Sequence, residues 1–202
     1  MSLDSPKAPC LAVFGTGSDV GKSVTVTGLC RYFADRGIRV APFKAQNMSN
    51  NAGVTPEGLE MGRAQIVQAE AAGVPPHVDM NPILLKPTSE IGSQIVCLGK
   101  ALANTSAAAY QQKNHDLFEM ALAALNRLRR QYEQVVKEGA GSCAEVNHNP
   151  HDIVNFKMAE PGHEPVIQLA QIQRVFFYAQ IIGKLAFFKK HQRKQIYGFL
   201  IN

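Results

Sequence analysis

The sequence predicts an α/β protein in three layers, a mostly parallel sheet with helices on both faces. Three observations carry that expectation. The apolar run CLAVF (10–14) leads through a glycine-rich turn, GTGSDVGKS (15–23), into the helix-like stretch VTVTGLCRYFADRG (24–37). Short β-rich runs then alternate with stretches of helical period, and strands that alternate with helices pair in parallel. Finally, 46% apolar against 18% charged residues over 202 positions suits one well-packed domain and leaves two a tight fit.

Residues 10–14 form the first strand and 22–36 the first helix, closed by Gly37 because glycine accepts the left-handed conformation that ends helices. IRVAPF (38–43) is the second strand, ending where Lys44 opens a polar stretch. Residues 45–59 are rich in Asn, Ser, Gly and Pro and read as a long functional loop. Residues 61–72 carry alanine at helical spacing, whereas 75–88, with four prolines, read as extended and loop-like. Residues 93–98 alternate as a strand. A long amphipathic helix at 107–132 sets Leu117, Met120, Ala121, Ala124, Leu125 and Leu128 on one side. Strand residues 134–136 lead into EGAGS (138–142), and a strand (165–170), a helix (176–188) and a last strand (195–201) follow.

Composition excludes several classes. No run of about 18 uncharged apolar residues occurs, and MSLDSPKAP (1–9) has no secretory core, so no membrane partner is expected. Cys10, Cys30, Cys97 and Cys143 lack paired spacing, which argues against disulfides and cysteine metal sites and for a reducing, cytoplasmic setting. The net charge of +5 suits an anionic ligand. Residues 174–202 hold Arg174, Lys184, Lys189, Lys190, Arg193 and Lys194 without any Asp or Glu. Basic and aromatic residues do not interleave there as stacking surfaces require, so the stretch reads as a solvated helix face and no nucleic acid is expected. His148 and His151, in HNPH, have no third ligand and read as loop.

The turn after the first strand is built to hold phosphate. Backbone N–H groups of Gly15, Thr16, Gly17, Ser18 and Gly21 can wrap an anion at the start of a helix, and Lys22 neutralises terminal phosphates. Ser23, next in line, offers a hydroxyl to Mg²⁺. The spacing is unusual: five residues separate Gly15 from Gly21, and Thr16 stands where a first glycine is usual. In parallel α/β sheets, ligands bind beyond the carboxyl ends of strands. The phosphate turn, Lys44 and Glu138 all fall at such ends, with Glu138 a second magnesium ligand and Lys44 a partner for a phosphoryl group or a substrate carboxylate.

The longer loop is similar to that of a P-loop NTPase subgroup that includes dethiobiotin synthetase. FKAQNMSNN (43–51), VTPEGLEMGRAQIVQAEAAGVPPHVDMNPILLKPTSEIGSQ (54–94) and EGAGSCAEVN (138–147) closely resemble the ATP-binding amidation domain of the cobyric acid synthase family, over about residues 11–159. That resemblance implies a dethiobiotin synthetase-like fold and ATP-dependent amidation of a corrinoid, adenosylcobyrinic acid a,c-diamide. ATP and Mg²⁺ activate a carboxylate, as an acyl phosphate, and ammonia from a glutaminase domain makes the amide. It further implies that Lys44 and Asp152 are catalytic, Asp152 orienting ammonia or steering Mg²⁺. Gln46, Asn47, Arg63 and Gln65 lie in the family's substrate-side segments. On this reading residues 1–202 are a single synthetase domain, shortened at its carboxyl end and without the glutaminase domain; a homodimer is compatible with it.

The departures from the family leave alternatives open. Lys137 stands in a strand the family keeps apolar, and a buried lysine without a partner costs several kcal/mol or loses its charge. QIQRVF (171–176) replaces an aspartate- and glycine-rich segment, and Lys184, Lys189 and Lys190 replace apolar and proline positions. The chain is then either a synthetase domain using free ammonia or a separate glutaminase, or an impaired paralogue that binds nucleotide only. A partitioning-type ATPase switch, with FFYAQIIGKLAFFKK (176–190) against a membrane or partner, is the third reading.

Overall fold

The computed structural model describes residues 7–88, 92–102, 105–106, 114–141, 155–159, 164–172 and 177–202. The first half contains β1 (Cys10–Gly15), α1 (Lys22–Ala34), β2 (Val40–Phe43), β3 (Gln46–Met48), β4 (Ala52–Val54), β5 (Glu60–Gly62) and α2 (Arg63–Ala71). A 3-10 turn (Val78–Met80), β6 (Ile83–Pro87), β7 (Gly92–Cys97), β8 (Lys100–Ala101) and β9 (Thr105–Ser106) come next. The second half holds α3 (Asn114–Gln131), β10 (Gln134–Glu138), α4 (Phe156–Ala159), β11 (Val166–Ala170), α5 (Phe177–Phe187), α6 (Lys190–Gln195) and β12 (Ile196–Ile201).

Five strands make one wholly parallel sheet in the order β12–β11–β1–β10–β2. Strands β1, β2 and β10 are buried nearly throughout because both faces of the sheet are covered. Val13, Val40 and Val136 pack against Val26 and Cys30 of α1 on one face. On the other, Cys10, Ala41, Phe43 and Val135 meet the Leu117, Ala121, Ala124, Leu125 and Leu128 stripe of α3. Phe14 stacks edge-on against Phe156 of α4 at 5.1 Å, and Phe156 in turn against Phe188 at 4.8 Å. The expected three-layer α/β fold is therefore present. So is the α1 terminator: Gly37 takes φ +74° and its N–H returns to Ala34 O at 2.9 Å.

The stretches expected as loops carry structure of their own. Residues 45–59 contain β3 and β4, and 75–88 contain the 3-10 turn and β6. β3 pairs in parallel with β6, β6 antiparallel with β7, and β7 with β8 and β9, forming a second, mixed sheet; β4 and β5 form a hairpin. The prolines do not prevent this. Pro82 precedes β6 and Pro87 ends it, where no interior ladder donor is lost. The stretch 61–72 splits between β5 and α2, β10 runs on through Glu138, and α6 follows a helix that was expected to be the last.

Strand alternation on β10 has a functional result. Successive side chains point to opposite faces, so Glu138 joins the α1–α2 side while Lys137 joins the α3–α4 side.

Candidate functional site

The turn between β1 and α1 is tight and donor-rich. Gly21 caps α1 at φ +95° with no side-chain cap, and no acidic residue occupies the first helical turn, so the first N–H groups of α1 remain for an anion. A Cβ on Gly15 would come within 2.7 Å of Val20 Cγ2 and 2.9 Å of Lys22 Nζ, so only glycine fits. Lys22 is buried and lies across the turn, donating to Gly17 O at 2.7 Å and to Gly141 O at 2.9 Å. Thr16 Oγ1 is buried with no hydrogen-bond partner among the described residues, and Ser18 sits exposed on the rim.

Glu138 is the hub. Its side chain is 1% exposed and accepts from three elements at once. Ser23 Oγ at the start of α1 donates to Oε1 at 2.8 Å, and Lys44 Nζ beyond β2 donates to the same oxygen at 2.7 Å. Gln68 Nε2 of α2 donates to Oε2 at 2.6 Å and approaches Ser23 O at 3.4 Å. A hydroxyl and a carboxylate sharing a 2.8 Å contact beside a phosphate turn are hard oxygen donors of the kind Mg²⁺ takes, and their chemistry fits that cation. Among the described residues no cluster of three or more His, Cys, Asp or Glu side chains offers another metal site.

A second polar network adjoins the hub through Lys44. Asn81 Nδ2 donates to Lys44 O at 3.1 Å, and Asn81 Oδ1 accepts from Gly62 N at 3.0 Å. Buried Asn47 donates to Gln65 Oε1 at 3.1 Å. Two of the expected substrate-side residues are thus joined; Arg63 is exposed at the start of α2 and Gln46 is half-buried on β3. Gly62 is the pivot, since a Cβ there would meet Asn47 Nδ2 at 2.5 Å, Gln65 Oε1 at 2.7 Å and Asn81 Oδ1 at 3.0 Å. Gly62→Ala should therefore lower stability by about 1–3 kcal/mol, measured by urea unfolding; an unchanged midpoint would contradict this packing.

On the opposite face the expectation of an unpartnered lysine is corrected. Lys137 Nζ meets Glu164 Oε2 at 2.6 Å and Met158 O at 2.7 Å, with both side chains buried. Two buried thiols, Cys10 and Cys30, are held in the protonated form. Burial first, then the Glu164 carboxylate, pushes Cys10 up to about 12, and burial with the Glu138 charge does the same for Cys30. Asp152, Ser142, Cys143, His148 and His151 lie outside the described residues, as does most of the 171–176 segment.

Against known proteins, the CobQ/CobB/MinD/ParA nucleotide binding domain matches residues 11–202. The chain belongs to that family. As a CobQ/CobB/MinD/ParA domain it is a nucleotide-binding protein, in keeping with the loop geometry. It is 55% identical over 192 residues to a cobyric acid synthase of Chlorobium phaeobacteroides strain BS1, covering 95% of this chain and 39% of that one. A cobyric acid synthase of Salmonella arizonae is 53% identical over 188 residues, covering 93% and 37%. The resemblance to cobyric acid synthases is thus shown, and the chain spans about two-fifths of the length of the curated relatives it matches. Among solved structures, the signal recognition particle receptor FtsY of Elizabethkingia anophelis in complex with GDP superposes at TM-score 0.51 with 14% identity. That match covers 100% of this chain and 51% of FtsY, and supports the fold alone.

Sequence reasoning about this CobQ/CobB/MinD/ParA domain missed two contacts. Gln68 sits three residues after Gln65 and one before Ala69, on the buried stripe of α2. A polar side chain at an apolar helical slot was the available signal. Lys184 of α5 donates to Thr16 O in the phosphate turn, a contact between distant segments that no local pattern shows. The basic stretch is partly used internally: Arg193 donates to Phe188 O at 2.9 Å and to Ala186 O at 3.0 Å at the end of α5. Among the described residues no helix is long and apolar enough to cross a membrane.

Proposed function

We propose that this chain is the ATP-binding synthetase part of a corrinoid-amidating enzyme of cobalamin biosynthesis, with adenosylcobyrinic acid a,c-diamide as its substrate. The observation that carries the reading is the convergence of Lys22, Ser23, Lys44 and Glu138 at the carboxyl ends of β1, β2 and β10. The likeness to cobyric acid synthases supports the choice of substrate.

A substrate carboxylate oxygen attacks the γ-phosphorus of ATP, releasing ADP and leaving an acyl phosphate. Ammonia attacks the acyl carbon, phosphate departs, and a proton is lost to give the amide. Glutamine hydrolysed on a glutaminase domain supplies that ammonia. Such transfer is mainly a matter of positioning and charge neutralisation. The turn 15–21 and Lys22 hold the phosphates. Ser23 and Glu138 would hold Mg²⁺, which offsets phosphate charge when bound. Lys44 sets an ammonium beside the transferring group, Gln46 and Arg63 face the corrinoid, and the buried Asn47–Gln65 pair supports that segment from within. Asp152 serves the amidation step.

The test is ammonium-dependent amidation of the a,c-diamide, followed by mass spectrometry with Mg²⁺ and ATP. Product should form, and Lys44→Ala should lower its rate about 10²–10³-fold, the scale of losing one electrostatic stabiliser. Asp152→Asn should also slow it. ATP binding without any amide product, under ammonia saturation, would sink the synthetase reading and leave a nucleotide-binding protein.

A further inference from the structure

Among the described residues Gln68 contacts both residues that would hold the cation, and nothing in the reaction above uses it. Its side chain is fully buried on α2, the helix that lies against α1. Both amide protons are spoken for: Nε2 lies 2.6 Å from Glu138 Oε2 and 3.4 Å from Ser23 O. The orientation of the amide is fixed by this chemistry, since a flipped group would set its oxygen against a carboxylate. Oε1 is left buried with no partner among the described residues.

An orphaned buried acceptor is costly, and structures keep one where something else satisfies it. Mg²⁺ retains several of its waters, and those waters are strong donors. The division of labour on the carboxylate points the same way. Among the described residues Ser23 and Lys44 share Oε1 of Glu138, whereas Gln68 takes Oε2. Gln68 therefore fixes the rotamer of Glu138 from behind, leaving Oε1 turned to the Ser23 hydroxyl.

We infer that Gln68 is a positioning residue of the divalent-cation site, holding Glu138 and the Ser23 turn in the geometry that makes nucleotide binding cation-dependent. The inference rests on the reading of the site as a Mg·ATP site. It also gives α2 a double task, because Gln65, three residues earlier on the same helix, belongs to the substrate-side network through Asn47.

The experiment is ATP titration calorimetry on the whole chain, once with excess Mg²⁺ and once with excess chelator. Wild type, Gln68→Leu and Gln68→Asn are compared; the asparagine keeps the amide but withdraws it by one methylene. Removing an outer partner of a metal ligand typically weakens the metal about 10–100-fold. Both variants should lose about that factor for Mg·ATP, while affinity for ATP in chelator moves by less than about twofold. If Gln68→Leu fails to fold, Gln68→Asn carries the same expectation. A variant that keeps the full magnesium enhancement overturns the inference, and so does an equal loss with and without magnesium, which marks plain structural damage. A wild type that binds no Mg·ATP sinks the site reading itself, together with the inference.

Discussion

Glu164→Ala is expected to destabilise the fold by about 3–5 kcal/mol, a large share of what a domain of this size has. The substitution strands the Lys137 ammonium in the core between β10 and α4, with Met158 O as its remaining hydrogen-bond partner among the described residues. Removing both charges is a different matter. Lys137→Met with Glu164→Leu leaves no stranded ion, and such exchanges are often neutral or stabilising. The double variant should recover to within about 1–2 kcal/mol of wild type or exceed it. Urea unfolding of the two single variants and the double closes the cycle. A coupling energy below about 0.5 kcal/mol would show that the pair does not act as a unit.

The second large effect concerns nucleotide binding. Lys22→Ala should weaken ATP by about 10–150-fold, the range for losing a hydrogen bond to a charged group. Lys22 also ties Gly17 to Gly141, so its removal loosens the turn and separates it from the end of β10. Calorimetry with Mg·ATP reads this directly. Equal binding by wild type and variant would mean that the turn is not where phosphate goes.

The parts of this molecule that were legible in its sequence are those written in short-range pattern. CLAVF followed by a glycine-rich turn and a helix states its purpose within 30 residues, and it folds as read. Lys44 and Glu138 were singled out because the ends of parallel strands are where ligands collect, and the two side chains meet at 2.7 Å. β3 and β4 were not found, because three residues are too few to show alternation and QNM is largely polar; they exist through pairing with β6 and β5. Lys137 looked unsupported because its partner lies 27 residues on, at a point no periodicity marks. Gln68 was passed over for a related reason. Its helix was recognised by alanine spacing, and the polar residue on the buried stripe becomes meaningful only once β10 brings Glu138 alongside.

The strand order has a consequence for how the chain is made. β1 emerges first, yet its two neighbours are β10 and β11, with Cys10 opposite Val135 and Ala12 opposite Val166. Val135 follows Cys10 by 125 positions (135 − 10). At about 5–20 residues per second, synthesis leaves β1 without a neighbouring strand for roughly 6–25 s. During that interval CLAVF is an apolar segment with no sheet to enter, and the turn behind it has neither Gly141 nor Glu138 to brace it. β1 thus enters its sheet only once strands far downstream have been made, and the phosphate turn behind it is braced no sooner.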